Sequence, residues 1–166
     1  RSWKQDRGER RHMAQAASRI LPWDLDNTLA DFQARIGIVQ MKKLGDMSSA
    51  RCRLAKVYSE ELKGSPQITR PVYQENSPYT LYTIRVAGRD NLQFSRRMKQ
   101  CGVLVDQSYD YVLPKLPEFQ CYGNSCYPNA AAAAAEVVNL PFYPELGEKT
   151  ARLIAACARE ALDEAG

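Results

Sequence analysis

The chain has little of what most catalytic centres are built from. Its 166 residues include one histidine, His12, and five scattered cysteines, and no cysteine has a histidine at zinc-ligand spacing. We therefore expect neither a zinc cluster nor a histidine-based triad. There is also no phosphate loop, dinucleotide fingerprint, serine elbow or zinc-helix motif. The residues by themselves point to no reaction.

Long apolar runs are also missing. No stretch approaches the ~20 apolar residues that a membrane span needs, and no charged start followed by an apolar core marks a secretory signal. We therefore expect a cytoplasmic protein without a membrane partner. Cys121 and Cys126 could pair if oxidised, but reduced thiols acting as small hydrophobic side chains suit this compartment better. Because the first residue is Arg1 rather than Met, we expect a piece of a longer protein.

The composition is that of one ordinary globular domain, with 45% hydrophobic and 25% charged residues. The 23 basic and 19 acidic residues give a net charge of +4. This excess is local, because residues 1–19 hold six basic and two acidic side chains. Such a segment could bind nucleic acid, but no aromatic residues are interleaved as a single-strand surface requires. A solvated terminus is the favoured interpretation, and nucleic-acid binding is not expected.

Two amphipathic segments predict a helical hairpin. In the first, from Leu25 to Leu44, apolar residues recur at threes and fours, with good N-caps at Asp26–Thr28 and a stop at Gly45. The second runs from Asp46 to Leu62, and glycine and proline follow it. The two segments therefore predict two antiparallel helices joined at Gly45.

The middle of the chain predicts a strand, a helix and a strand. Alternation over Tyr79–Val86 predicts a strand with one face buried, its even-numbered residues on one face and its odd-numbered residues on the other. A helix opened by Asp90 and closed by Gly102 should follow, and then a second strand at Val103–Val105. These elements indicate an α/β domain.

The stretch Asp106–Asn129 is rich in proline and tyrosine and predicts a long irregular connection of the kind that usually carries function. Beyond it, the alanine-rich stretch Ala130–Val138 predicts a helix. A short segment at Asn139–Tyr143 and a final helix at Glu148–Glu164 complete the chain. That last helix should bury Ala151, Ile154, Ala155 and Ala158.

Five segments in the same order resemble the DegT/DnrJ-type sugar aminotransferases, which are pyridoxal-phosphate enzymes of fold type I. The string DFQARIGIVQMKKL is similar to the family's E-x-Q-A-A-x-G-x-x-Q-L-x-x-L helix. Four further matches follow and extend the resemblance over roughly Pro22–Leu162. They are RCRLAKVYSEEL at 51–62, LYTIRVAGRD at 81–90, CGVLVDQSY at 101–109 and EVVNLPFYPEL at 136–146.

The resemblance implies a C-terminal small domain with a small antiparallel or mixed sheet and flanking helices. It divides the chain into a basic linker (1–24) from a missing large domain, a connecting helical hairpin (25–64) and a small α/β domain (65–166). In the family, the lysine that binds pyridoxal phosphate and the aspartate that pairs with its ring nitrogen lie upstream, in the large domain. We therefore expect the cofactor in the complete enzyme and none on the isolated chain.

The resemblance also implies four site residues. Asp26 stands where the family has an asparagine that reaches the cofactor phosphate of the neighbouring subunit, and a one-residue shift would bring Asn27 there instead. Thr28 stands at the position of the family's arginine. Ser108 replaces a family histidine and Tyr109 keeps the tyrosine, which implies substrate contacts. A plain helix N-cap is the alternative role for Asp26 and Asn27.

Two functions remain open. The chain is either the small-domain part of an aminotransferase that moves an amino group from glutamate to a keto-sugar or similar keto substrate, or a catalytically silent relative that acts as a binding or partner subunit. The first is the main hypothesis, and the departures at Asp26, Thr28 and Ser108 suggest the second as the alternative. In either case the expected partner is a large domain or second subunit, in a complete enzyme that works as a homodimer.

Overall fold

The computed structural model of the chain describes residues 29–88, 90–107, 111–122 and 126–163. In chain order the elements are helix α1 (Asp31–Glu61), strands β1 (Ile68–Thr69) and β2 (Tyr82–Val86), helices α2 (Asn91–Gln100) and α3 (Pro128–Glu136), strand β3 (Val137–Leu140) and helix α4 (Glu148–Asp163). Two short 3-10 helices, Leu113–Lys115 and Pro117–Tyr122, lie between α2 and α3. The basic segment 1–24 lies outside the described residues. None of the helices described is both long and apolar enough to cross a membrane.

Strand β2 is the centre of a three-stranded antiparallel sheet with the order β1-β2-β3. Ile84 pairs with Val138 of β3, and Val86 pairs with Ile68 of β1. The even-numbered residues of β2 are buried, while Arg85 is exposed, because successive side chains of a strand point to opposite faces. The predicted alternation is confirmed over Tyr82–Val86, but the strand begins three residues later than predicted. The predicted α/β class with a small sheet is confirmed.

The prediction of a strand at Val103–Val105 was wrong. Gly102 has a φ of 79°, which suits the left-handed residue that ends a helix. The N–H of Gly102 donates to the carbonyl of Lys99 over 3.0 Å, and that of Val103 donates to the carbonyl of Met98 over 2.9 Å. These residues therefore complete the end of α2 instead of starting a ladder. Only the following Asp106 reaches the sheet, through an isolated bridge to Asn139.

The third strand is Val137–Leu140, where the sequence predicts the end of a helix and the start of a separate segment. Helix α3 runs from Pro128 to Glu136, so the predicted helix is present but ends two residues early. The β-branched Val137 and Val138 favour an extended backbone, and their pairing with β2 outweighs the helix propensity of the alanines before them.

The predicted helical hairpin was also wrong, because Asp31–Glu61 form one continuous helix. A glycine inside a helix costs about 1 kcal/mol relative to alanine. Gly45 alone therefore does not end a helix that has good helix formers on both sides, at Met41–Leu44 and at Ala50–Lys56. The residues from Lys43 onward belong to one compact unit, and the three domain boundaries inferred from the resemblance remain a prediction.

The core of this unit draws on α1, α2, α4 and the sheet. The predicted inward face of α4 is confirmed, because all four of its predicted residues are buried. The guanidinium of Arg97 on α2 donates to the carbonyl of Ala161 on α4 over 2.8 Å. The largest fully buried side chains are Tyr58, Tyr82, Leu62, Ile84, Met98, Val86 and Val138.

Two buried tyrosines join α1 to the rest of the unit. The hydroxyl of Tyr58 donates to the carbonyl of Pro141 over 2.8 Å, and the hydroxyl of Tyr82 shares a 3.0 Å hydrogen bond with Ser59 Oγ. The centroids of the two rings are 4.9 Å apart. Burial raises the pKa of both hydroxyls above the ordinary tyrosine value. Both therefore stay protonated and serve as neutral structural groups rather than as bases.

Candidate functional site

The four predicted site residues, Asp26, Asn27, Ser108 and Tyr109, lie outside the described residues. Their roles therefore remain predictions, and the structure does not test whether they come together. It does describe the chain on both sides of 108–110.

The chain before Ser108 is anchored to the sheet and to α2. Asp106 and Asn139 exchange both backbone hydrogen bonds, with N to O distances of 3.1 and 2.8 Å. The next residue, Gln107, donates from Nε2 to Ser95 Oγ on α2 over 3.4 Å. The chain therefore leaves the edge of β3, beside α2, immediately before the predicted substrate-binding pair.

The chain after residue 110 lines a cavity of about 580 Å³, referred to below as the apolar cavity. This volume falls within the ~300–1,000 Å³ typical of small-molecule sites. Two walls meet there, one from the stretch that follows residue 110 and one from α3. The lining residues are Tyr111, Val112, Leu113, Pro114, Tyr127, Ala130, Ala133, Ala134 and Val137.

The alanine run explains why this space is open. Ala130, Ala133 and Ala134 recur at intervals of three and four residues, so their methyl groups share one face of α3. Because a methyl group is short, these side chains do not fill the space between α3 and the opposite wall at Tyr111–Pro114. The sequence predicted a helix here but gave no sign that it forms the wall of a cavity.

The apolar cavity offers contact surface without a catalytic group. Its polar side-chain atoms are the hydroxyls of Tyr111 and Tyr127, and no acid, histidine, lysine or cysteine is among its lining residues. It can hold an apolar or aromatic part of a ligand and exclude water from it. Proton transfer to or from a substrate would need groups from elsewhere.

Two polar side chains fix the α3 wall, Asn91 to α2 and Glu136 to the sheet. The buried Asn91 donates from Nδ2 to the carbonyls of Ala134 and Val137, over 2.9 and 3.2 Å. The carboxylate of Glu136 accepts from the guanidinium of Arg85 on β2 and, over 3.0 Å, from the N–H of Gly88. We call this set of contacts the Asn91–Glu136 clamp. It joins the end of α3 to β2 and to the turn that follows β2.

Sequence reasoning found one part of this arrangement and missed the rest. Asp90 was predicted to open α2, and its carboxylate does accept from the N–H of Leu92 over 3.0 Å. Glu136 was missed, although a single carboxylate between six alanines and an apolar strand signals a charged partner. No local pattern marks Asn91, because its two acceptors lie 43 and 46 residues along the chain.

The described residues do not fit a pyridoxal-phosphate centre. That cofactor is attached through a lysine side chain, and its ring nitrogen pairs with an acid. All the lysines in the described part of the chain are exposed. None lines the apolar cavity, and Lys56, which lines a separate cavity beside α1, is exposed like the others. The same residues hold no group of three or more histidines, cysteines or acids placed to bind a metal ion. No step of cofactor chemistry is assigned to them.

Comparison with known proteins identifies the family. The model of the DegT/DnrJ/EryC1/StrS aminotransferase family matches residues 8–159. The chain belongs to this family. The erythromycin biosynthesis sensory transduction protein EryC1 of Saccharopolyspora erythraea is 32% identical over 127 residues, which cover 74% of this chain and 34% of EryC1. The dTDP-4-dehydro-2,3,6-trideoxy-D-glucose 4-aminotransferase of Saccharopolyspora spinosa is 27% identical over 129 residues, 75% of this chain and 32% of that enzyme.

Solved structures of aminotransferases share the fold. TlmJ of Streptoalloteichus hindustanus matches with a TM-score of 0.70 at 24% identity, covering 81% of this chain and 36% of TlmJ. PseC of Helicobacter pylori, an aminotransferase involved in the biosynthesis of pseudoaminic acid, matches with a TM-score of 0.70 at 19% identity, covering 82% of this chain and 38% of PseC. The chain thus spans about a third of the length of the family members it matches.

The Asn91–Glu136 clamp predicts a pH dependence of stability. The hydrogen bond from Arg85, followed by that from Gly88, holds the pKa of Glu136 below its ordinary 4.5. A carboxyl group with a lowered pKa stabilises the fold above its unfolded pKa, and this contribution is lost as the pH falls through the folded value. We predict that Glu136→Gln lowers the free energy of unfolding at neutral pH and that its difference from the parent chain shrinks as the pH falls below 4.5.

Urea unfolding followed by circular dichroism at a series of pH values measures this difference. Glu145→Gln is the matched control, because Glu145 is exposed and forms no ion pair with another described residue. A difference between Glu136→Gln and the parent chain that does not change with pH would contradict the clamp.

Proposed function

We propose that this chain is the C-terminal small domain of a cytoplasmic, pyridoxal-phosphate-dependent aminotransferase. The complete enzyme would transfer an amino group from an amino acid such as glutamate to a keto-sugar or similar keto substrate. The family match over residues 8–159 carries this proposal. We further propose that the cofactor lysine and the acid at the ring nitrogen come from a large domain outside these residues, so that the chain alone is inactive. The exposure of every described lysine supports this division.

The small domain would supply part of the substrate pocket. Ser108 and Tyr109 are assigned to it by the resemblance, and the flanking chain supports the assignment. The chain is anchored at the edge of β3 up to Gln107 and lines the apolar cavity from Tyr111 onward. In this proposal the cavity receives an apolar part of the substrate, while Ser108 and Tyr109 offer hydroxyls to its polar part.

Asp26 and Asn27 are proposed at the cofactor phosphate of a neighbouring subunit. Of the two, the Asn27 amide is the better donor, since the Asp26 carboxylate would repel the phosphate. This contact would make each site depend on two copies of the enzyme, which agrees with the expected homodimer.

The first turns of α1 present the surface that such a partner would cover. Seven apolar side chains between Leu29 and Leu44 are 48–68% exposed, although they alternate with polar residues. Single exposed apolar residues are ordinary, but seven of them within residues 29–44, six on α1 and Leu29 just before it, mark an interaction surface. They are Leu29, Phe32, Ile36, Ile38, Val39, Met41 and Leu44. We propose that the large domain or a second subunit packs against this row.

This surface predicts self-association of the chain. At high concentration the parent chain should associate, and Ile36→Glu should reduce the association, because it places a charge within the apolar row. Light scattering over a concentration series measures the effect. Val72→Glu is the matched control, because Val72 is 82% exposed but lies outside α1. A parent chain that stays monomeric throughout would contradict the proposed interface.

The second candidate function is a catalytically silent partner subunit. The observation that favours it is the set of departures from the family pattern at Asp26, Thr28 and Ser108. The two functions differ in whether this chain can complete an active enzyme. A chimaera separates them.

In the chimaera, this chain replaces the matching third of the Saccharopolyspora spinosa 4-aminotransferase. The first function predicts that it binds pyridoxal phosphate and aminates the keto-sugar of that enzyme's name. Within it, Tyr109→Phe should raise KM about three- to tenfold, the effect of losing one hydrogen bond to the substrate. Tyr143→Phe, at an exposed tyrosine away from the cavity, is the control.

The outcomes of this experiment are distinct. A folded chimaera that binds the cofactor without transferring an amino group would favour the silent partner. An active chimaera in which Tyr109→Phe changes neither kcat nor KM would remove Tyr109 from the pocket.

A further inference from the structure

A second cavity, of about 500 Å³, lies between α1 and the loop that follows β1. We call it the polar cavity. One wall is the stretch Ser48–Lys56 of α1, and the other is the loop Tyr73–Pro78. It shares no lining residue with the apolar cavity and lies within the unit that begins at Lys43. The proposed aminotransferase function uses none of its residues.

Hydrogen bonds hold the loop wall in a defined shape. The hydroxyl of Tyr79 accepts from the N–H of Gln74 over 2.8 Å and donates to the carbonyl of Gln74 over 3.2 Å. Asn76 has a φ of 62°, a left-handed conformation that asparagine tolerates in tight turns. The thiol of Cys52 on α1 donates to the carbonyl of Ser77 over 3.4 Å. The loop is therefore tied to itself and to α1, which leaves the space between them preformed.

The polar cavity carries an excess of positive charge. Arg53 and Lys56 lie one turn apart on α1, and both side chains line it. Among the described residues, neither forms an ion pair. Glu75 on the loop is the one carboxylate in the lining, so cations outnumber anions by two to one. An anionic ligand would meet two available cations, against the repulsion of one carboxylate.

The remaining lining groups suit a phosphate better than a carboxylate. Ser48, Ser49 and Ser77 bring hydroxyls and Asn76 brings an amide, so hydrogen-bond donors line the cavity together with the two cations. A phosphate monoester carries a charge of about −2 and three acceptor oxygens, enough to engage both cations and several hydroxyls. A guanidinium also matches two phosphate oxygens at once.

Tyr73 adds a flat apolar surface beside these donors. Its ring stacks on that of Tyr79, with centroids 6.2 Å apart and an interplanar angle of 11°. This stacking fixes the orientation of the Tyr73 ring, which also lines the polar cavity. A sugar or a nucleobase can pack on such a ring.

We propose that the polar cavity binds a phosphate monoester, with the phosphate between Arg53 and Lys56 and the organic part against Tyr73. This site is separate from the proposed substrate pocket. Its success or failure therefore leaves the aminotransferase proposal unchanged.

Isothermal titration calorimetry of the full chain tests the site with two probes, adenosine 5′-monophosphate and glucose 1-phosphate. We expect one molecule bound per chain for at least one probe, and the tighter probe identifies the organic part. Arg53→Gln and Lys56→Gln should each weaken binding about tenfold, and the double variant should abolish it. Added salt should also weaken binding, since the cations are exposed.

The double variant Arg96→Gln/Lys99→Gln is the matched control. It removes the same two charge types at the same spacing from the exposed side of α2, and it should bind as the parent does. Circular dichroism checks that every variant keeps the fold. Absence of binding by both probes, or equal binding by the parent and the Arg53→Gln/Lys56→Gln chain, would overturn the site. Inorganic phosphate binding as tightly as the better monoester would overturn the role of Tyr73.

Discussion

The pairing of β2 with strands on both sides is the constraint on which the described fold depends. The sheet has strands of only two, five and four residues, and β2 is the one that pairs with both others. So small a sheet is not stable in water by itself, and it requires helices packed on its apolar face. Tyr82, Ile84 and Val86 supply that face, within a core that α1, α2 and α4 complete.

The register of β2 also sets the position of the candidate site. A slip by one residue would turn Tyr82 and Ile84 toward solvent and carry Arg85 away from Glu136. The apolar cavity would then lose the contact that fixes the end of α3, because Glu136 directly precedes Val137 in its wall. The same register of β2 therefore buries the core residues and places Arg85 where it holds Glu136 beside the proposed pocket.

The sequence predicted those features that depend only on neighbouring residues. The alternation of β2, the inward face of α4 and the Gly102 stop after α2 each follow from residue spacing. The sequence did not reveal which apolar stretch pairs with β2. Val103–Val105 and Val137–Leu140 are both short and rich in valine, and the choice between them depends on long-range pairing and on how α2 ends. The continuity of α1 through Gly45 was missed because a glycine weakens a helix without ending it.

The candidate site was less predictable because it too depends on contacts between residues far apart in the sequence. The segment Asp106–Asn129 was expected to be an irregular connection. Its described part contains two short 3-10 helices, and α3 begins inside it, at Pro128. The cavity that it forms with the alanine face, and the buried Asn91 behind that face, depend on contacts between distant parts of the chain. The four residues assigned to the site came from family resemblance, which supplies roles but no positions.

The central claim is that the lysine of the cofactor lies outside this chain. The direct test is to incubate the chain with pyridoxal phosphate, reduce it with borohydride and locate any pyridoxyl label by mass spectrometry. The parent chain is the form to use, because it keeps every lysine of the sequence, including Lys56 of the polar cavity. The account predicts no lysine labelled in stoichiometric amount. Stoichiometric label on one lysine of the chain, lost when that lysine is changed to arginine, would contradict it.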